Sequence, residues 1–258
     1  MKRSQLLALL LLLALTAPLA AQNPGGRPGG PPERFKNLKV LPKNIPRDSL
    51  LNTMRGFTQA LGVRCSFCHA TVEGAANPDS LDFPADTKVE KRNARIMLRM
   101  VRDINSKRLP DLPGRADPPV RVSCITCHRG SALPRTIDLV LEQVIDSAGV
   151  DVALQRYRQL RTETMERGRY DFSEGPVNEL ARRLAAGGKT ADALKLLEMN
   201  AEMHPASAAI DVELGDVYRT GGDRERALTH YRAALEKQPN NPQARRRLQE
   251  LTGSTSPR

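Results

Sequence analysis

An all-α chain in two parts is what this sequence predicts, and three observations predict it. The 4 cysteines among 258 residues all fall in two copies of one string, Cys65-Ser66-Phe67-Cys68-His69 and Cys124-Ile125-Thr126-Cys127-His128. Upstream of each string, apolar residues recur at helical spacing instead of alternating. Near the C-terminus, Pro205 and Pro239 stand 34 residues apart, the period of a repeated helical hairpin. Short helices and long loops around the two strings, followed by stacked hairpins, are therefore expected.

The chain opens on Met1-Lys2-Arg3, runs apolar from Leu6 through Leu15, and leaves through Ala17-Pro18-Leu19-Ala20-Ala21. A basic start, a short apolar stretch and a small-residue exit make residues 1–21 a secretory signal peptide, with cleavage expected after Ala20 or Ala21. The run is short for a membrane span of about 20 residues, and no cysteine follows it closely. The periplasm is the expected location. Residues 22–34 are dominated by Gly and Pro and read as a flexible linker. The formal charge of +11 falls to +9 without Lys2 and Arg3. Such a balance suits an acidic partner or a membrane surface; nucleic acid is not expected for an exported protein.

Residues 35–135 are expected to form the first domain. Asp48 or Ser49 would cap a helix ending at Leu61, with Gly62 as its stop. Leu51, Met54, Phe57, Thr58 and Leu61 share one stripe of it. Thr87-Lys88-Val89-Glu90 has the form of a capping box. It would open a second helix with Ile96, Met97, Met100, Val101 and Ile104 on its apolar face, bounded downstream by Pro110 and Pro113. Aromatic residues make up 3% of the chain and Trp is absent, so ordinary side chains would furnish only a thin core here.

C-x-x-C-H is the attachment signature of c-type haem. Two thiols at that spacing can reach the two vinyl groups of one porphyrin, and the adjacent imidazole reaches its iron. Cys65 and Cys68, and Cys124 and Cys127, are the candidate attachment pairs; His69 and His128 are the candidate iron ligands. Two bound porphyrins would also supply the missing apolar bulk, so this domain is expected to be largely unfolded without them. A redox dithiol explains neither the second copy nor the histidines. A four-cysteine zinc site would have to bridge a long separation and would leave both histidines idle, and neighbours within C-x-x-C make poor structural disulfides. The other histidines, His204 and His230, lie far along the chain. Methionine is the natural second axial ligand. Met54 precedes the first string, and Met97 and Met100 precede the second; the plainer role for each is filling core space.

From about Leu41 to Pro134 the sequence resembles the cytochrome c subunit of photosynthetic reaction centres. That family is similar in carrying a methionine-bearing helix, a turn and then C-x-x-C-H. The likeness is closest in Ala94-Arg95-Ile96-Met97-Leu98-Arg99-Met100-Val101-Arg102-Asp103-Ile104-Asn105 and in Val122-Ser123-Cys124-Ile125-Thr126-Cys127-His128-Arg129-Gly130. The resemblance implies that Met97 is the distal ligand of the second iron, with Met100 as the alternative. Met54-Arg55-Gly56-Phe57-Thr58 likewise looks like the first ligand helix. The typical member carries four haems, whereas this chain has cysteines for two and resembles one half of that subunit. No histidine occurs from Ser106 to Val122, where the family places a ligand for a later haem.

Residues 136–173 read as connecting helices, including Val152 to Arg161, that help reach the roughly three units such stacks need. Residues 174–207 and 208–241 read as two tetratricopeptide repeats. Leu214, Gly215, Tyr218, Ala227, Tyr231, Ala234 and Pro239 fit the pattern in the second. Leu180, Ala181, Leu184, Ala193, Leu197 and Pro205 fit it more weakly in the first. Gln243 to Leu251 would cap the stack, and residues 253–258 would form a disordered tail. Such stacks present a groove to protein partners.

The expected function is electron transfer by an exported two-haem c-type cytochrome that docks redox partners, in solution or at a membrane, through its repeats. Arg129, beside His128, is a candidate partner for a porphyrin carboxylate. The rival is a two-haem peroxidase-like enzyme, which would need an opened iron and a distal acid–base group; no motif places one. An electron carrier and not an enzyme is therefore expected. Oligomeric state is not readable from the sequence.

Overall fold

The computed structural model describes residues 35–253 except 78, 115 and 116; the expected signal peptide and linker, and residues 254–258 of the expected tail, lie outside the described residues. The chain is all-α. Its helices are α1 (Arg47–Leu61), α2 (Val89–Asp103), α3 (Cys124–His128), α4 (Ile137–Ala148), α5 (Val150–Thr164), α6 (Glu174–Ala186), α7 (Thr190–Met203), α8 (Ala208–Thr220), α9 (Arg224–Lys237) and α10 (Pro242–Thr252). The strands β1 (Ala70–Thr71) and β2 (Leu81–Asp82) pair antiparallel.

Gly62 ends α1 as expected. It takes a left-handed conformation at φ 68°, which costs glycine nothing. The two expected caps do not form. Pro46 stands before the first helical residue, and Asp48 falls inside the first turn of α1, where a carboxylate favours the helix dipole. Lys88, not Thr87, precedes α2. Its side chain donates to the Ser66 carbonyl at 2.5 Å, and Glu90 falls one position too early to close a capping box. On α1 the buried residues are Leu50 and Ala60, whereas Leu51 of the expected stripe is exposed.

The helices from α4 onward stack as hairpins. Ile137, Leu141, Tyr157, Val177, Leu180, Ala181, Leu184, Leu196 and Leu197 share one continuous core. Ala193, Ala227, Tyr231 and Ala234 are wholly shielded from solvent. Gly215 is required where α8 meets α9: a methyl group there would sit 2.4 Å from the Tyr231 ring. The connecting helices α4 and α5 pack into this core. Ion pairs run between alternate helices of the stack. Arg183 of α6 reaches Asp138 and Glu142 of α4, each at 3.1 Å; Arg182 reaches Glu213 of α8 at 3.4 Å; Arg247 of α10 reaches Asp216 at 2.8 Å.

In residues 35–136, by contrast, Leu50 and Ala60 are the buried hydrophobic residues among those described. Polar ties do the joining. Lys91 on α2 donates to the carbonyls of Phe83, Pro84 and Ala85 at 2.7, 3.0 and 2.7 Å. Arg95 and Arg102, on the same helix, hold the carbonyls of Asn37 and Val40. Asp86 collects Lys39 at 2.7 Å, Arg95 at 2.8 Å and Lys91 at 3.3 Å.

Candidate haem attachment sites

Each C-x-x-C-H string coils into about one helical turn. In the first, Cys65–Phe67 is a 3-10 turn, and the amides of Cys68 and His69 both bond the Cys65 carbonyl. In the second, Ser123 caps α3 and its backbone amide donates to the Thr126 hydroxyl oxygen at 3.0 Å. A turn of helix puts residues three and four apart on one side, so both cysteines and the following histidine of each string can face one group.

The histidines are prepared differently. His128 Nδ1 lies 2.9 Å from the Ser131 carbonyl. A carbonyl only accepts, so Nδ1 carries the proton and Nε2 keeps a free lone pair. A ring nitrogen fixed in this way is the usual support of a metal-bound imidazole. His69 packs edge-on against Phe83, with ring centroids 5.0 Å apart. Burial first, and the charge of Lys91 next, hold its pKa below the ordinary histidine value, so the neutral ring that a metal requires is favoured.

None of the four cysteines is paired in a disulfide. Burial pushes the Cys68 and Cys124 thiols up from their ordinary value, opposite to the shift that activates a redox dithiol. Among the described residues no three of His, Cys, Asp or Glu gather as metal ligands, so the two strings do not form a shared four-cysteine site.

Helix α2 acts as a strut between the strings. Lys88, at its start, holds Ser66 inside the first string. Asn105, just past its end, holds Val122 by both groups: Nδ2 donates to the Val122 carbonyl at 2.7 Å, and Oδ1 accepts the Val122 amide at 2.8 Å. Its 15 residues span about 22 Å at 1.5 Å per residue. A second tie runs from α1: the Gly130 amide donates to the Ala60 carbonyl at 2.8 Å. Ala60 closely precedes Cys65, and Gly130 closely follows Cys127, so the two strings are held in one neighbourhood.

Met54 lies half-buried on α1. Met97 and Met100 point outward from α2 at 39% and 45% exposure, beside Ile96 at 52%. Phe67 and Ile125, inside the strings, are also exposed. Thioether, imidazole and thiol donors flanked by outward apolar side chains fit a large flat hydrophobic group with a soft central metal. His230 is engaged elsewhere, 3.3 Å from Asp211 and stacked on Tyr218, and His204 ends α7; neither approaches the strings in sequence or by contact. The roles of Lys88 and Asn105 were not anticipated from the sequence, because a side chain holding a distant backbone group leaves no periodic trace.

Two comparisons with known families complete the description. The model described as photosynthetic reaction centre cytochrome C subunit matches residues 33–166, more than half of the chain, and the tetratricopeptide repeat model matches residues 208–251. The first match runs on through α4 and α5, past the stretch that the sequence resemblance had delimited.

Proposed function

The chain belongs to the photosynthetic reaction centre cytochrome C subunit family, a haem c-binding family, and on that premise we propose that it is an exported two-haem electron-transfer protein whose repeats dock its redox partners. Haem, when bound, supplies a one-electron ferric–ferrous couple. Cys65 and Cys68, and Cys124 and Cys127, anchor the two groups. His69 and His128 would each hold the iron through a ring nitrogen. Met54 and Met97 would supply the second ligands, with Met100 the alternative to Met97, and a thioether sulfur there would favour the ferrous state and raise the potential. With both ligand positions taken by the chain, no place would be left for a substrate, which suits electron transfer. Residues 1–21, read as a signal peptide, support a periplasmic location for this activity.

The observation that carries the reading is the second string. Its two cysteines and its histidine share one helical turn, and the His128 ring is fixed by Ser131 with Nε2 left free. The test is the mature protein purified from a host able to form the thioethers. Its mass should exceed that of the polypeptide by two haems. Met54→Ala and Met97→Ala should each abolish the sulfur–iron band of one haem and lower its potential. Loss of that band in Met100→Ala but not in Met97→Ala would move the second ligand to Met100, and a colourless product would end the proposal.

A further inference from the structure

A cleft of about 500 Å³ separates the second string from the helical stack, within the size range of ligand sites. Cys127 and Arg129 line one wall; Arg135, Arg169 and Tyr170 line the rest. Its acids are already engaged. Asp138 is paired with Arg183 at 3.1 Å, Glu179 with Arg182 at 2.7 Å, and Asp171 accepts the Ser173 amide at 2.9 Å. Of the arginines, Arg129 is near enough to help lower the pKa of Asp171 without an ion-pair contact, and Arg135 and Arg169 reach neutral groups. Arg135 bonds the neutral amide of Gln143. Arg169 donates to the Gly130 carbonyl at 2.5 Å, while its Nε is shielded from solvent without a partner. Among the described residues none of the three guanidiniums is ion-paired to a carboxylate. A shielded, unpartnered guanidinium nitrogen is costly, and the group it suits best is a carboxylate received by two N–H bonds.

Arg169 is held in place from behind. Tyr170 and Phe172 meet edge-on at 6.0 Å, and Phe172 meets the wholly buried Tyr157 at 5.5 Å. This aromatic chain ties the segment after α5 into the core of the stack. Arg169 also lies beyond the residues 33–166 that match the cytochrome family.

We propose that the helical stack completes the second haem site: Arg169, together with Arg129 and Arg135, receives a propionate carboxylate of the porphyrin anchored at Cys124 and Cys127. The inference rests on the two-haem reading and deepens it. The stack is then part of the cofactor's surroundings as well as a docking module, and it biases one iron of the two. A guanidinium beside the propionate offsets its negative charge, which otherwise favours the ferric state.

The test uses the full-length holoprotein. Haem count by mass is measured first, and fewer than two haems in the wild type would defeat the underlying reading and not this inference alone. With two haems present, redox titration should resolve two steps. Arg169→Gln should shift one step downward and leave the other in place. Arg169→Lys, which keeps the charge but not the two-pronged geometry, should restore part of the shift. Arg246→Gln, an exposed charge on α10, should move neither. Should Arg169→Gln not accumulate, the exposed Arg129→Gln carries the same expectation. Two unmoved steps with both haems attached would overturn the proposal. So would unmoved steps with weakened binding of polyglutamate, because the arginines would then be reading the acidic side chains of a partner.

Discussion

Residues 35–136 and residues 137–252 are both helical, yet they are held together by different physics. In the second region apolar side chains from the five helices α4 to α8 meet in one core, and fully burying a Leu or Val side chain contributes about 1.5–3 kcal/mol. In the first, the described hydrophobic residues that are buried number two, Leu50 and Ala60. Charged side chains there reach across to backbone carbonyls instead, and apolar ones such as Phe83, Ile96 and Val120 face outward. A helix with the period of a buried face but no buried residue, as α2 is, is built to meet something other than its own chain. On the proposed function that partner is a covalently held porphyrin.

The largest way to break this contrast is to remove the anchors. Replacing Cys65, Cys68, Cys124 and Cys127 by Ser should leave residues 35–135 open to limited proteolysis while the stack keeps its cooperative melting transition. Full protease resistance of the first region in that variant would show that its polar ties suffice alone. The reciprocal experiment targets the stack. Leu196 is wholly buried on α7, and Leu196→Ala should lower the stability of the stack by about 2–5 kcal/mol, read by thermal or urea denaturation, with the haem count unchanged. Leu50 is buried but lies outside the hydrophobic core of the stack, so Leu50→Ala should fall at or below the bottom of that range.

What could be read from the sequence divides along the same line. The 34-residue repeat places Ala181, Leu184, Ala193, Leu197, Leu214, Ala227, Tyr231 and Ala234 in the core, and all of them are buried. The period works there because each repeat meets a copy of itself. Both C-x-x-C-H strings were legible because their chemistry is local: three side chains within five positions. The ties between unlike, distant segments were not legible. Nothing in the sequence marks Asp86 as a meeting point for Lys39, Lys91 and Arg95, or Asn105 as the clip on Val122. The cap at Thr87 failed for a related reason. Local pattern favoured it, but Lys88 was drawn to the first string by a contact 22 residues away.

A smaller effect sharpens how the two attachment strings are joined. A methyl group on Gly62 would stand 2.3 Å from the Gly130 carbonyl oxygen, and the residue sits at φ +68°. The left-handed conformation alone costs a non-glycine residue about 1–2 kcal/mol, and here backbone must also move. Gly74 has a similar φ of +72° with open space around its Cβ position. Gly62→Ala should therefore destabilise the holoprotein more than Gly74→Ala, as measured by its melting temperature, and it should disturb the spectra of the haems where Gly74→Ala does not. Equal effects would mean that the contact between Gly62 and Gly130 does not hold the strings together.

The smallest expected effect tests whether the polar ties of the first region act through charge. Arg95, then Lys39, hold the Asp86 carboxyl well below the usual carboxylate range. A carboxyl depressed by folding contributes stability that is complete above its unfolded pKa, near about 4, and that is lost as pH falls below it and the unfolded chain takes up the proton first. Asp86→Asn should thus lower the melting temperature of the first region at neutral pH. The gap from wild type should narrow as pH falls below about 4, while the stack melts identically in both proteins. Lys39 is exposed and Asp86 part-exposed, so added salt should narrow the gap as well. A gap that persists undiminished in acid and in salt would assign Asp86 a role in hydrogen-bond geometry instead, and the first region would then be held by shape at that corner rather than by charge.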